Sequence, residues 1–385
     1  MQQEGIFMSK NEQFEYRIIY DFISGKLKRS EASILLGKTE RSVTRIANRV
    51  RSKGMLGVKH GNIGKKPANK ICPFMKEEVL KLVQNKYFDM NLTHCLEKLQ
   101  KDDHFTTLKY GTLRRWCHSI HMVKRKHRRS SSKVRKQRVR MPNEGLMLQM
   151  DGSHHRWNGK DKWCLIAAID DASSNIPYAE FFLSEDTLNC MTVLQRIIET
   201  RGIPEVIYTD KAGCLGGGKR SFFNQFKRAC DEVGIRIIFA DSPQAKGRIE
   251  RTWDTFQDRL IPELRLRNIF SMPKANEYMQ NEFIPNYWKQ KNTVLPKSPE
   301  SRYKKLPTSI DLNEIFCLKE YRTVKSDHTF SFKSRTYLIT SDLKYSIRNQ
   351  KIEIRTYQNL TEEFYFAGKI ITVKDLNASS VKLVA

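Results

Sequence analysis

Five short apolar runs between residues 142 and 270, four of them closed by aspartate, constrain the fold more than any other feature of the chain. They are Leu146 to Asp151 (LMLQMD), Trp163 to Asp170 (WCLIAAID), Tyr178 to Leu183 (YAEFFL), Glu205 to Asp210 (EVIYTD) and Arg236 to Asp241 (RIIFAD). Runs of this length and composition read as strands. Helical spacing appears from Leu188 to Thr200, from Ser221 to Val233, and in a long segment from about Lys246 through Leu266. Three consecutive strands followed by strand–helix alternation predict an α/β unit, a mixed five-stranded sheet with helices on its faces.

The chain before this unit is helical in pattern. Phe14, Ile18, Ile19, Phe22 and Ile23 predict one amphipathic helix over 12–23; Ser30 is placed to cap a second (SEASILL) that stops at Gly37, and Thr39 a third that runs to Gly54. Two helices joined by a tight glycine turn describe a helix-turn-helix over residues 10–60. On the third helix Val43, Ile46, Ala47 and Val50 share a face, while Arg41, Arg45 and Asn48 lie opposite and Arg49 flanks them. That arrangement suits a helix that reads base edges, although the same residues would also make an ordinary solvated basic face. A polar stretch over 61–70 separates a second helical unit, 71–123, in which Val79, Leu80, Leu82, Val83 and Tyr87 mark one helix and Leu92 to Gln100 another. Tyr110, Leu113, Trp116, Cys117 and Ile120 mark the buried side of a third, with Arg114 and Arg115 beside that stripe. His94, Cys95, Cys117, His118 and His121 invite a zinc reading, but adjacent His-Cys pairs cannot both face one ion without strain and the spacing is not a zinc spacing.

Charge points to the partner. Lys and Arg number 69 against 42 Asp and Glu, a formal +27, and a chain this basic is suited to a polyanion. The excess is densest over 124–141, where Lys124, Arg125, Lys126, Arg128 and Arg129 open a run with almost no apolar residue. Such a run cannot bury a core and suits a linker lying along phosphates. The eight cysteines are scattered singly, the N-terminus lacks a signal-peptide pattern, and no apolar run approaches the roughly 18 residues that span a bilayer. These features predict a cytoplasmic protein with reduced thiols and no membrane partner.

Acidic residues gather at the strand ends. Asp151 closes the first run, Asp210 the fourth, and Glu250 stands early on the helix after the fifth. In open α/β sheets ligands collect outside the carboxyl ends of the strands, so Asp151 and Asp210 meet there if the first and fourth strands are neighbours. Three converging carboxylates repel unless cations lie between them, and an all-oxygen set selects Mg²⁺ or Mn²⁺. Two ions about 4 Å apart activate a water or a 3′-hydroxyl and stabilise the leaving oxygen of an in-line phosphoryl displacement. Asp170, Asp171, Asp241 and Asp254 are read as turn or cap residues. Lys211, Lys246, Arg248 and Arg251 surround the expected site and are read as DNA phosphate contacts.

The loop after Asp210, DKAGCLGGGKRS, contains Gly213, Gly218 and Lys219 at P-loop spacing. A P-loop needs Ser or Thr after its Lys, and Arg220 stands there, so no nucleotide cofactor is expected.

LQMDGSHHRW, AAIDDASS, VIYTDKAG and above all DSPQAKGRIERTWDTFQDRL resemble the integrase-type core of bacterial DDE insertion-sequence transposases. The helical units, the LRRW of Leu113 to Trp116 and the basic linker share the resemblance. It implies an RNase H-like fold over 142–270 with Asp151, Asp210 and Glu250 as the triad that binds two divalent metals. It also implies cleavage at the ends of a mobile element, joining of the freed 3′-hydroxyl to target DNA, and a homo-oligomer acting on double-stranded DNA. Asp210-Lys211-Ala212-Gly213 departs from the Asp-Asn-Gly of many integrases, and the longer interval to Glu250 is taken up by the glycine-rich CLGGGKR, where added loop residues cost little. The alternative function is a retired transposase that only binds DNA as a regulator.

After a connecting segment over 271–318, where Pro273, Pro285, Pro296 and Pro299 interrupt the helical pattern, YRTVKS, TFSFKS, TYLITS, YSIRN, KIEIRTY and EEFYFAG alternate apolar with polar residues. They predict a small β-barrel over 319–375, which the resemblance makes SH3-like.

Overall fold

The computed structural model describes residues 7–63, 71–122, 139–209, 225–239, 247–341 and 345–377. The chain forms two compact units that divide between Glu77 and Glu78.

The first unit is a cluster of three helices, α1 (Lys10–Ile23), α2 (Arg29–Leu36) and α3 (Glu40–Lys53), followed by a 3₁₀ turn over Gly54–Val58. Ile19, Ala32, Val43 and Ala47 are fully buried at its centre. Ser9 and Glu12 cap α1 reciprocally, and the Thr39 hydroxyl accepts from Ser42 N to open α3. Ser30, expected to cap α2, lies inside it instead. The cap position is Lys28, whose N–H donates to the Glu31 carboxylate at 2.7 Å, so the acidic side chain three residues on does the work. Gly37 ends α2 in the left-handed region, φ 60°, a conformation that costs glycine little.

The division falls within α4 (Pro73–Asn85), and α5 (Leu92–Lys101) and α6 (Tyr110–Ser119) follow in the second unit. Val79, Val83, Cys95, Leu99, Leu113 and Cys117 are buried, as their spacing predicts. Tyr87 is buried beyond the end of α4, its hydroxyl donating to Asp103, and Tyr110, expected on the buried stripe of α6, is exposed at the first turn.

The central sheet contains β1 (Leu148–His155), β2 (Trp163–Asp170), β3 (Tyr178–Phe182), β4 (Val206–Thr209) and β5 (Arg236–Phe239), in the order β3-β2-β1-β4-β5. β1 pairs antiparallel with β2 and β2 with β3, while β1–β4 and β4–β5 are parallel. The sheet is therefore mixed and five-stranded, as the sequence predicts, with β1 and β4 as neighbours. One face packs against α7 (Thr187–Arg201) and α8 (Gln225–Glu232) through Leu148, Met150, Ile166 and Ala168. The other packs against α9 (Gly247–Leu266) through Leu165, Ala167, Ile169 and Phe181. Every residue of β2 is buried, which accounts for its unbroken apolar run.

Beyond α9 the proline-containing segment is helical rather than merely connecting. α10 (Met272–Tyr278) runs into a π-helical stretch, Met279–Trp288, and then α11 (Lys289–Lys291). Pro273 occupies the first turn of α10, where a missing N–H costs nothing, and Pro285 sits where the wider π turn replaces the ladder that a proline breaks. Asn276 Oδ1 accepts from Phe181 N at 2.7 Å, and Met279, Phe283 and Trp288 join the core on the α9 face.

After α12 (Leu312–Ile315) come β6 (Leu318–Thr323), β7 (Thr329–Phe332), β8 (Arg335–Ile339), β9 (Lys351–Thr356), β10 (Glu362–Phe366), β11 (Lys369–Ile370) and β12 (Val373–Asp375). They form a four-stranded sheet, β11-β10-β9-β6, and a three-stranded sheet, β12-β8-β7, around a shared core of Val324, Phe330, Ile352, Ile354 and Phe364. Residues 345–349, the YSIRN read as a strand, form turns: only Ile347 is buried and Asn349 has φ 60°, so the alternation there is too short to pair.

Candidate active site

β1 enters the sheet with apolar residues on both faces, and the two polar residues in its middle both turn toward α9. Gln149 is fully buried; its side chain donates to Asp171 Oδ1 at 2.7 Å and accepts from Ile249 N at 3.3 Å, satisfying an N–H in the first turn of α9. Two residues further along the same face, Asp151 Oδ2 accepts from Trp253 Nε1 at 3.0 Å. These two bonds tie the first two turns of α9 to β1. Glu250 lies in that first turn, exposed, three residues before Trp253. Residues three apart on a helix are neighbours, roughly 5–6 Å between Cβ atoms, so the Glu250 side chain leaves α9 about one turn from the indole that holds Asp151.

The β1–β4 ladder pairs Leu148 with Ile207 and Gln149 with Tyr208. Two residues on from each member of the second pair come Asp151 and Asp210. Asp210 follows Thr209, the last residue of β4, and lies outside the described residues, as do Lys211, Asp241, Lys246 and the run containing Lys124, Arg125, Lys126, Arg128 and Arg129.

Arg248, expected at DNA phosphates, makes an ion pair with Asp171 at 2.5 Å, its side chain only 12% exposed. Asp171 is wholly buried, accepts Gln149 and Arg248 on one oxygen and Met141 N on the other, and so joins β1, α9 and the strand-entry segment. Asp170, its neighbour, is the turn residue expected of it: its carboxylate accepts from the N–H groups of Gly145, Ala172 and Ser173, while burial pushes its pKa above the ordinary carboxylate value. Asp254 is exposed on α9. Arg251 is exposed one residue beyond Glu250, its guanidinium Nε donating to Gly247 O within the helix.

In the helical units Arg41, Arg45 and Asn48 are exposed on α3, turned away from Val43, Ile46, Ala47 and Val50, while Arg49 is half-buried on the flank with its Nε buried. Arg51 donates to Asn48 Oδ1 at 3.0 Å. Arg114 and Arg115 are exposed on α6. The histidine and cysteine residues of that region do not converge on a metal among the described residues. His94 Nε2 lies 2.7 Å from Glu263 Oε1 of α9, and Cys95 and Cys117 are buried thiols whose pKa burial raises.

Sequence reasoning passed over Gln149 and Trp253 and read Asp171 as a turn or cap residue, whereas its carboxylate joins Gln149, Arg248 and Met141. A lone Gln in the otherwise apolar LMLQM, and an indole at the third position after Glu250, are the signals that mark Gln149 and Trp253: buried polar groups need partners.

No family model matches the chain. Among curated proteins, "Putative transposase y4bF" of Sinorhizobium fredii is 30% identical over 362 residues, covering 91% of this chain and 78% of that protein. The transposase for insertion sequence IS1202 of Streptococcus pneumoniae is 29% identical over 409 residues, covering 94% and 87%. Solved structures with partial likeness include the HTLV-2 integrase catalytic core domain in complex with magnesium, TM-score 0.30 at 19% identity, covering 35% of this chain and 82% of that one. A simian T-cell lymphotropic virus intasome in complex with a PP2A regulatory subunit gives TM-score 0.35 at 15% identity, covering 71% and 97%. On the sequence relatives, which span most of its length, the chain belongs to the bacterial insertion-sequence transposases.

Proposed function

We propose that the chain is a DDE-type transposase that binds the terminal inverted repeats of its own element, cuts at the 3′ ends and transfers the freed strand into target DNA. The carrying observation is the docking of α9 on β1, where Asp151 is held by Trp253 one turn from Glu250. The register of β1 against β4 supports Asp210 as the third carboxylate, since Asp151 and Asp210 stand equally far beyond the Gln149–Tyr208 pair.

The donor set suits hard divalent ions: carboxylate oxygens only, from β1, from the residue after β4 and from the exposed start of α9. Asp151, Asp210 and Glu250 would hold two Mg²⁺ or Mn²⁺ ions, which when bound lower the pKa of a water or 3′-hydroxyl and neutralise the departing oxygen. The chain's own work is positional. The Trp253 indole orients Asp151, and Gln149 fixes the first turn of α9 so that Glu250 is presented at a constant height above β1. Arg248 and Asp171 brace that turn from within, and Lys211, Lys246 and Arg251 lie along the phosphates that flank the scissile bond.

The three-helix unit acts as a helix-turn-helix whose Arg41, Arg45, Asn48 and Arg49 face DNA, with Arg114 and Arg115 of the second helical unit and the basic run over 124–141 adding phosphate contacts. The C-terminal sheets make an SH3-like barrel that meets DNA or a second subunit, and the protein works as a homo-oligomer in the cytoplasm. Incubated with duplex carrying the element's ends, the wild-type protein nicks in Mg²⁺ or Mn²⁺ and not in chelator, whereas Asp210→Ala binds the same duplex without nicking. Nicking by Asp210→Ala at the wild-type rate would refute the assignment, and a wild-type chain that binds but never nicks would make it a regulator.

A further inference from the structure

The opposite face of β1 carries a second chemical cluster. His154 and Cys164 are directly opposite one another in the β1–β2 ladder, so their side chains leave the sheet on the same side. Cys164 shares that side with Met150, Ile166 and α7, whereas Asp151 faces α9 across the sheet. Glu185, in the connection between β3 and α7, folds back over the pair. His154 Nε2 lies 3.9 Å from Glu185 Oε2, and one donor atom from each of His154, Cys164 and Glu185 lies within 4.8 Å of the other two. Gly152 makes room for this: a Cβ there would stand 2.5 Å from Glu185 Oε2, closer than a carboxylate tolerates. The Glu185 carboxylate thus lies against the β1 backbone at Gly152, beside the imidazole.

We propose that His154, Cys164 and Glu185 bind a zinc ion that fastens β1, β2 and the β3–α7 connection at one end of the sheet. Imidazole nitrogen, thiolate sulfur and carboxylate oxygen are the three donor types that zinc accepts. Around a tetrahedral zinc such donors stand roughly 3.3–3.8 Å apart, so the cluster closes by about an ångström of side-chain rotation. A set with a soft thiolate and an imidazole is chemically unlike the carboxylate set on the other face, and discriminates zinc from Mg²⁺ by ligand type. On binding, the Cys164 thiol gives its proton to solvent and its sulfur becomes the thiolate ligand, while His154 coordinates as neutral imidazole. Three protein ligands leave the fourth position to water on the side where the His154 side chain is 45% exposed.

The test uses the full-length protein, depleted with chelator and titrated with Co²⁺ while the near-ultraviolet absorption is followed, alongside zinc content after dialysis. The wild type retains about one equivalent of zinc and gives the charge-transfer band of a cobalt–thiolate bond. Both are lost in Cys164→Ser and in His154→Ala and kept in Asp151→Ala, which removes a carboxylate on the other face of β1. Because His154 is exposed, its replacement leaves the fold intact by circular dichroism and decides the matter even if Cys164→Ser does not fold. Absence of the band at stoichiometric Co²⁺, its survival in His154→Ala, or its loss in Asp151→Ala would each overturn the proposal.

Discussion

Trp253 shows how one side chain couples core packing to chemistry. Its ring is packed edge-on against Phe256, and its N–H reaches Asp151 from the helix that carries Glu250. Trp253→Phe keeps the aromatic volume and removes only the donor. A hydrogen bond to a charged group is worth about 1.5–3 kcal/mol, so nicking by this variant should fall about tenfold or more, with end binding unchanged and more Mg²⁺ needed for half-maximal rate. A variant that nicks and responds to metal like the wild type would show that Asp151 does not depend on the indole. Asp151 and Glu250 were singled out in the sequence as the end of a strand and the start of a helix; Glu250 does stand in the first turn of α9, whereas β1 runs on past Asp151 to His155, because the polar residues after it still pair with β2. Trp253, Gln149 and the Asp171–Arg248 pair were not, because their roles lie in partners a hundred or so residues away, and no local spacing records such a pair. Arg248 is the instructive case: by spacing it faces DNA with its basic neighbours, but a buried carboxylate claims it.

At the scale of elements, α5 is bound to α9 by a polar seam. Glu263 of α9 meets His94 and Lys98 of α5 and Arg267 just beyond the end of α9, with Tyr278 of α10 alongside, and Arg259 pairs with Glu97 at 2.5 Å. Burial acts to raise the Glu263 pKa, but the His94 hydrogen bond and the Lys98 and Arg267 charges outweigh it and bring the value to about 2. A folded pKa below the unfolded one gives stability that is complete above about pH 4.5 and drains away as the pH falls toward 2. The urea-stability difference between the wild type and Glu263→Gln, on the order of 3 kcal/mol at neutral pH, should therefore shrink steadily below about pH 4.5. A difference independent of pH would mean that the seam does not hold Glu263 ionised. Periodicity predicted α5 and α9 well but not that a buried His and Glu join them. Likewise the prolines of 273 and 285 read as breaks because proline is judged against the α-helical ladder, whereas here one starts a helix and the other sits in a π turn.

At the scale of the whole molecule, the order of elements and the mixed sheet were readable from strand length and strand–helix alternation, because a buried sheet leaves no freedom in which positions are apolar. Most of the longer C-terminal strands were readable individually, YSIRN being read wrongly and the short β11 and β12 missed, but their division into two sheets was not, since pairing partners are set by turns and bulges more than by alternation. The formal +27 of the chain makes a claim at this scale too. If about six phosphates are contacted, affinity for end-containing duplex should fall roughly 10³-fold between 50 and 200 mM salt, and a flat response in a filter-binding or anisotropy titration would remove the basic run over 124–141 from the DNA interface. The most direct measurement is metal-dependent nicking of element-end DNA by Asp151→Ala, Asp210→Ala, Glu250→Ala and the triple variant. Residues that act as one metal-binding unit fail together, so each single variant should fall to the floor set by the triple while still binding the duplex; a single variant that nicks at the wild-type rate would contradict the shared site.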